Sequence, residues 1–159
     1  MPQQGYIAHF TEFNYPPQQA GELLDEADFV GIREDADSIL KMFKAFAGVT
    51  AGEDVQLAAQ GVVLRTVQPN GYDGIWVMVR VNLIDVTTGG GLLEGLLNGE
   101  LVYLSNTEPG HCQIEAPATV GELLQVVGTA FYDKKSPPRA GDLAGGYFVH
   151  IEQPSVVPA

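Results

Sequence analysis

From residue 54 to its end the chain alternates short, β-branched apolar stretches with turns marked by glycine and proline. No other feature limits its fold as tightly. Residues 55–67 (VQLAAQGVVLRTV) read as a strand, and Gly61 in mid-run implies a bulge or the close approach of another backbone. Gln68-Pro69-Asn70-Gly71 is a strong turn signal, and Ile75-Trp76-Val77-Met78-Val79-Arg80-Val81 reads as the returning strand, so 55–81 is expected to form a β-hairpin. Alternation places Ile75, Val77, Val79 and Val81 on one face. Trp76, Met78 and Arg80 share the other, where an oligomer partner could cover them. After Gly89-Gly90-Gly91 comes a glycine-punctuated stretch, a loop or a short helix, and then three strand candidates within 100–105, 122–132 and 146–152. Nineteen glycines and ten prolines in a chain that is 45% hydrophobic describe a turn-rich folded protein and not a disordered one.

The N-terminal third is different. Residues 1–21 read as an extended arm, because Pro2, Pro16 and Pro17 oppose helix. Tyr6, Phe10, Phe13 and Tyr15 give this arm contact area that a solvated tail would not need, so it either folds back on its own domain or docks on a neighbour. Residues 22–37 carry Glu22, Asp25, Glu26, Asp28, Glu34, Asp35 and Asp37 against Arg33 alone, and are expected to form a solvated acidic face around a short strand, Phe29-Val30-Gly31-Ile32. Asp35-Ala36-Asp37 opens like a calcium loop, but Ile39 and the lack of a suitably spaced glycine and glutamate break the pattern. Residues 37–47 offer the one short helix. Ile39, Leu40, Phe43 and Phe46 recur at spacings of three and four, with Asp35 or Asp37 as N-cap and Gly48 as stop. Passable alternation keeps a strand open there as well.

The expected fold class is therefore mainly β: a compact antiparallel β-barrel or sandwich with one short helix and an extended N-terminal arm. The arm spans 1–21, the β-rich body 22–153, and a short tail 154–159. A "VG" strand leading to an "AG" plus acid turn occurs at 30–54 and again at 127–142, which hints at two related β units, about 22–88 and 96–153.

Catalytic and cofactor chemistries each fail on a named residue type. His9, His111 and His150 are far apart and no cysteine pair exists, so zinc spacing is missing and no metal is expected. Cys112, the single cysteine, cannot form an internal disulfide; beside His111 on a strand it faces the other way. No G-x-S-x-G turn is present, and the triple glycine lacks the Gly-Lys-Ser/Thr of a phosphate loop. Glu53-Asp54 lies in a polar turn, which does not suit a paired-carboxylate acid and base. An enzyme is not expected, and no cofactor is implied. A net charge of −12 with eight basic residues argues against a nucleic-acid partner. No apolar run approaches the ~20 residues of a membrane span, and Met1-Pro2-Gln3-Gln4-Gly5 lacks signal-peptide character, so synthesis in the host cytoplasm is expected.

One stretch carries a resemblance. Gly99-Glu100-Leu101-Val102-Tyr103-Leu104-Ser105, then Gly110-His111-Cys112-Gln113-Ile114-Glu115-Ala116-Pro117, then Gly121-Glu122-Leu123-Leu124-Gln125-Val126-Val127-Gly128-Thr129-Ala130 resembles a β module of tailed-bacteriophage virion proteins, notably head decoration (cement) proteins. The likeness spans roughly 96–153, with a weaker echo at 51–67. It implies a capsid decoration protein on the outer surface of a phage head, with the major capsid protein as partner and a homo-oligomer, a trimer by preference. The alternatives are a tail or fibre adaptor, though long repeats and heptads are missing, and a carbohydrate- or protein-binding β domain using Tyr72, Trp76 and Tyr147 as a platform.

Overall fold

A computed structural model describes residues 19–25, 28–63, 66–71, 83–85, 99–131 and 146–159. Among the described residues ten short strands follow one another: β1 (Phe29–Glu34), β2 (Leu40–Lys44), β3 (Gly61–Val62), β4 (Leu83–Asp85), β5 (Leu101–Leu104), β6 (Cys112–Gln113), β7 (Leu123–Leu124), β8 (Val126–Phe131), β9 (Gly146–Val149) and β10 (Ser155–Val156). The described chain is mainly β and contains no helix. Its strands form three antiparallel sheets, in the orders β2-β1-β3, β4-β9-β8-β5-β6 and β10-β7, and none closes into a barrel.

The helix expected over 37–47 is instead a hairpin turn and a strand. Asp35 makes that choice locally: its Oδ1 accepts the Asp37 and Ile39 N–H groups at 2.8 and 3.0 Å, and its own N–H donates to the Ile39 carbonyl at 2.9 Å. A short acid that binds the backbone ahead of it offers an alternative to the helical ladder. Ser38 completes the reversal with φ of 61°, and β2 then pairs with β1 from Glu34↔Leu40 to Val30↔Lys44. Ile39 and Leu40, expected on a buried helical face, are exposed, while Met42 is fully buried.

Residues 55–67 do not form one strand either. They cross the body and pair in turn with three partners: Leu57 with Phe46, β3 with β1, and Val67 with Leu24. Gly61 lies in the short β3 at the middle of that path. The turn at 68–71 forms as expected, closed by the Gly71 N–H to Gln68 carbonyl bond at 2.8 Å, with Asn70 at φ 62°. Proline second and a positive φ third are the marks of a type II turn. The returning half of the expected hairpin, the strand at 75–81, lies outside the described residues.

Between residues 99 and 131 the local logic is periodic. Gly99, Gly110 and Gly121 sit at equal intervals with φ of 91°, 84° and 89°, a region that L side chains rarely adopt. Each opens a segment that supplies strands: β5 after the first, β6 after the second, β7 and β8 after the third. β5 lies between β8 and β6, and its register with β8 slips between Val102 and Tyr103, which bulges Val127 next to Gly128. At the C-terminus, Ser155 and Val156, read from sequence as part of a tail, pair with Leu124 and Leu123.

Two apolar clusters hold these pieces. The larger joins Phe29, Ala45, Ala47, Ala59 and Val62 from the N-terminal sheet region to Val102, Leu104, Cys112, Leu123, Val127 and Val149. The smaller gathers Ala20, Leu24, Val30, Met42, Val63 and Val67. Adjacent Phe29 and Val30 thus point to opposite faces of β1 and are both buried, so this strand is covered on both sides. Burial on that scale contributes roughly 1.5–3 kcal/mol per large apolar side chain. The segments read as two β units share the larger cluster and exchange backbone hydrogen bonds.

Candidate functional site

The aromatic arm residues Tyr6, Phe10, Phe13 and Tyr15 lie outside the described residues, as do Trp76, Met78 and Arg80 of the expected oligomer face and Tyr72 of the glycan platform; Tyr147 is described in its backbone alone. The last residues of the segment read as the arm are part of the body. Ala20 is fully buried, and Gln19–Gly21 run parallel to the outer edge of β2, with the Met42 N–H donating to the Gln19 carbonyl and the Gly21 N–H to the Met42 carbonyl at 2.9 and 2.8 Å. The 68–71 turn grips the same stretch through Ala20 N–H to Gly71 carbonyl and Asn70 N–H to Ala20 carbonyl.

The strongest polar constellation surrounds Asp28. The sequence places this residue in a solvated acidic run, and Asp25, Glu34 and Asp37 are indeed exposed. Asp28 is not: it is 1% exposed. The apolar strand that starts at the next residue draws it inward. Its Oδ2 accepts the Asp25 N–H at 2.8 Å and faces the Lys44 ammonium at 3.8 Å. Its Oδ1 lies 2.8 Å from where a Cβ on Gly110 would stand. Burial pushes the carboxyl up to about 6; the Asp25 N–H and Lys44 pull it back only in part, and the nearby charges of Asp25 and Glu22 push it further up. Against this group runs a closed circuit of backbone bonds, each 2.8 Å: Phe29 N–H to Gly110 carbonyl, Gly110 N–H to Ala45 carbonyl, Ala45 N–H to Phe29 carbonyl.

Two other buried polar groups act as struts. Gln125 presents its carboxamide to Ala59 like a neighbouring strand, accepting the Ala59 N–H at 2.7 Å and donating to its carbonyl at 2.9 Å. Its amide also reaches the Glu152 carbonyl. Glu122 accepts from the Asn106 amide at 3.2 Å and the Thr119 N–H at 3.1 Å. Both are satisfied, as buried polar groups must be. Cys112 sits in the larger core cluster while the adjacent His111 ring meets Glu108 at 2.7 Å, so the two do face apart.

A hydroxyl, an imidazole and a carboxylate do line up in the order of a nucleophile, its base and an orienting acid. Thr129 Oγ1 meets His150 Nε2, and His150 Nδ1 lies 3.6 Å from Glu152 Oε1. That last distance is too long for a hydrogen bond. Thr129 also sits mid-strand in β8, away from any turn that would converge N–H donors on an oxyanion. The row ties β8 to the residues after β9. Among the described residues no group of three or more His, Cys, Asp or Glu side chains is placed to hold a metal ion.

The described cations are engaged locally. Arg33, Lys41 and Lys44 are the described basic residues, and each turns onto the chain's own hairpin region: Arg33 over the Phe43 ring at 3.5 Å, Lys41 onto Asp35 at 2.7 Å, Lys44 toward Asp28. Glu34, Asp37, Glu53, Asp54 and Glu115 are left facing outward. Exposed apolar side chains form a second surface feature. Val49 packs by Gly121, Val120 precedes that glycine, and Val156 pairs across from Leu123 on the same edge. The chain matches no protein-family model, and no curated protein and no solved structure is similar to it.

Proposed function

We propose that this chain is a virion structural protein, a decoration protein that binds the outer surface of a bacteriophage head and stabilises neighbouring capsomers. The observation that carries the reading is the 99–130 pattern, with its three regularly spaced glycines, which folds as the contiguous strands β8, β5 and β6 with β7 beside them. In this reading the sheets pack as a compact antiparallel sandwich, and the protein has no catalytic role. The net charge of −12 suits a surface facing away from packaged DNA. The arm aromatics make the contact with the major capsid protein, and the Trp76 face serves a trimer. A ligand that binds only the assembled shell stabilises that shell by mass action.

Electron microscopy of the full chain mixed with phage heads tests this. Density on the outer shell at local symmetry axes is expected, and removal of residues 1–18 is expected to leave a folded protein that no longer decorates. The cut stops at 18 because Gln19–Gly21 belong to the body. Full occupancy by the truncated chain would end the arm's role; density on tails alone would favour a tail adaptor, and glycan binding without shell binding a carbohydrate-binding domain.

A further inference from the structure

We propose that Asp28 is a proton-operated latch: its neutral carboxyl closes the joint between the β1–β2 hairpin and the 105–111 loop, and its ionisation loosens that joint. The argument starts from placement. A carboxyl with a side chain 2% exposed is pressed against the circuit of backbone bonds that ties Phe29, Ala45 and Gly110 together. One oxygen has the Asp25 N–H. Among the described residues the other accepts no hydrogen bond and faces Gly110, whose missing side chain is what lets it fit. A buried ionised oxygen without a donor is costly, whereas a neutral carboxyl in the same place costs far less and gains a donor of its own.

The surrounding charges do not rescue the anion. From β2 comes Lys44, at 3.8 Å and itself a quarter exposed. From the segment before β1 come Glu22 and Asp25, both acids, and Glu22 Oε2 is already accepting the Lys44 N–H at 3.2 Å. The 105–111 loop contributes Glu108 and His111, which meet each other at 2.7 Å. The balance leaves the carboxyl raised to about 6, so the proton is held in the folded chain across a range in which the unfolded chain has lost it. Folding and closure of the joint are then favoured as pH falls from about 6 toward 3.8, and the gain is lost as pH rises through 6. Because the linked bonds are those of Phe29, Ala45 and Gly110, the opening is local to this seam and leaves the Gln125–Ala59 strut in place.

Amide hydrogen exchange on the full chain between pH 5 and 7.5, corrected for intrinsic rates, reads the latch directly. Protection at Phe29, Ala45 and Gly110 is expected to fall by up to roughly 10-fold as pH rises across this range, while Ala59 changes little. Asp28→Asn, uncharged and of the same shape, is expected to remove the slope, and His111→Gln to keep it. The same slope in Asp28→Asn, or its loss in His111→Gln, overturns the proposal. Should Asp28→Asn fail to fold, carboxyl carbon NMR of the native chain still decides: a midpoint near 6 at Asp28 supports the latch, and one near 4 refutes it.

Discussion

Asp28 and Asp35 flank the same strand, β1, and live under opposite rules. At the hairpin tip Asp35 is surrounded by donors: the Lys41 ammonium at 2.7 Å and the Asp37 and Ile39 N–H groups. These hold its carboxyl below the usual range, the Lys41 contact first. At the seam Asp28 has one N–H donor and a more distant lysine, and burial wins. Residue type does not settle what an aspartate does. The number of donors against the amount of water removed decides whether charge supports the local structure or opposes it.

The largest effect that would sharpen this contrast is at the seam. Gly110→Ala places a Cβ 2.8 Å from Asp28 Oδ1 on a residue with φ of 84°. A loss of about 3 kcal/mol in denaturant unfolding is expected, and a neutral result would mean that the seam yields freely. The tip responds with the opposite sign to the loss of a side chain. Ser38 already occupies the left-handed region at φ 61°, so Ser38→Gly should raise stability by roughly 0.5–1 kcal/mol; destabilisation would show that the Ser38 side chain matters more than its backbone. The smallest change is Asp35→Asn. Its folded carboxyl titrates below the unfolded value of 3.8, so the stability it adds is present above that pH and fades as acid protonates the folded form. A slightly lower thermal midpoint is expected for the variant at pH 6, converging with the parent in strong acid. At neutral pH Asp28→Asn should move stability the other way. Shifts of the same sign for both Asn variants would break the comparison.

The same two regions show where sequence reading succeeds. β1 is legible as Phe29-Val30-Gly31-Ile32, because a short β-branched run bounded by charged residues has few other uses. The 68–71 turn, β5, β8 and β9 are legible for similar reasons: proline, glycine and alternation act within a few residues. β2 was ambiguous because Ile39, Leu40, Phe43 and Phe46 fit a helical face. Met42, fully buried as Ala45 and Ala47 are, is not one of those four and is the available signal. Asp28 was hidden by its neighbours, since six other acids in the run made exposure the natural reading. Its position immediately before an apolar strand was the only local hint.

By itself the sequence determined the β class, the 68–71 turn, and the three glycines that set the rhythm of residues 99–131, because each depends on the backbone freedom of a few adjacent residues. It also determined the acid surplus, which is a matter of counting. Tertiary structure decided the rest. It broke 55–67 into three separate pairings, set the three described cations against neighbouring side chains, built Gln19–Gly21 into the body, and buried one aspartate of a run of seven acids. Those outcomes depend on which distant backbone supplies a hydrogen bond and which surface excludes water, and neither is written in any local stretch of the chain.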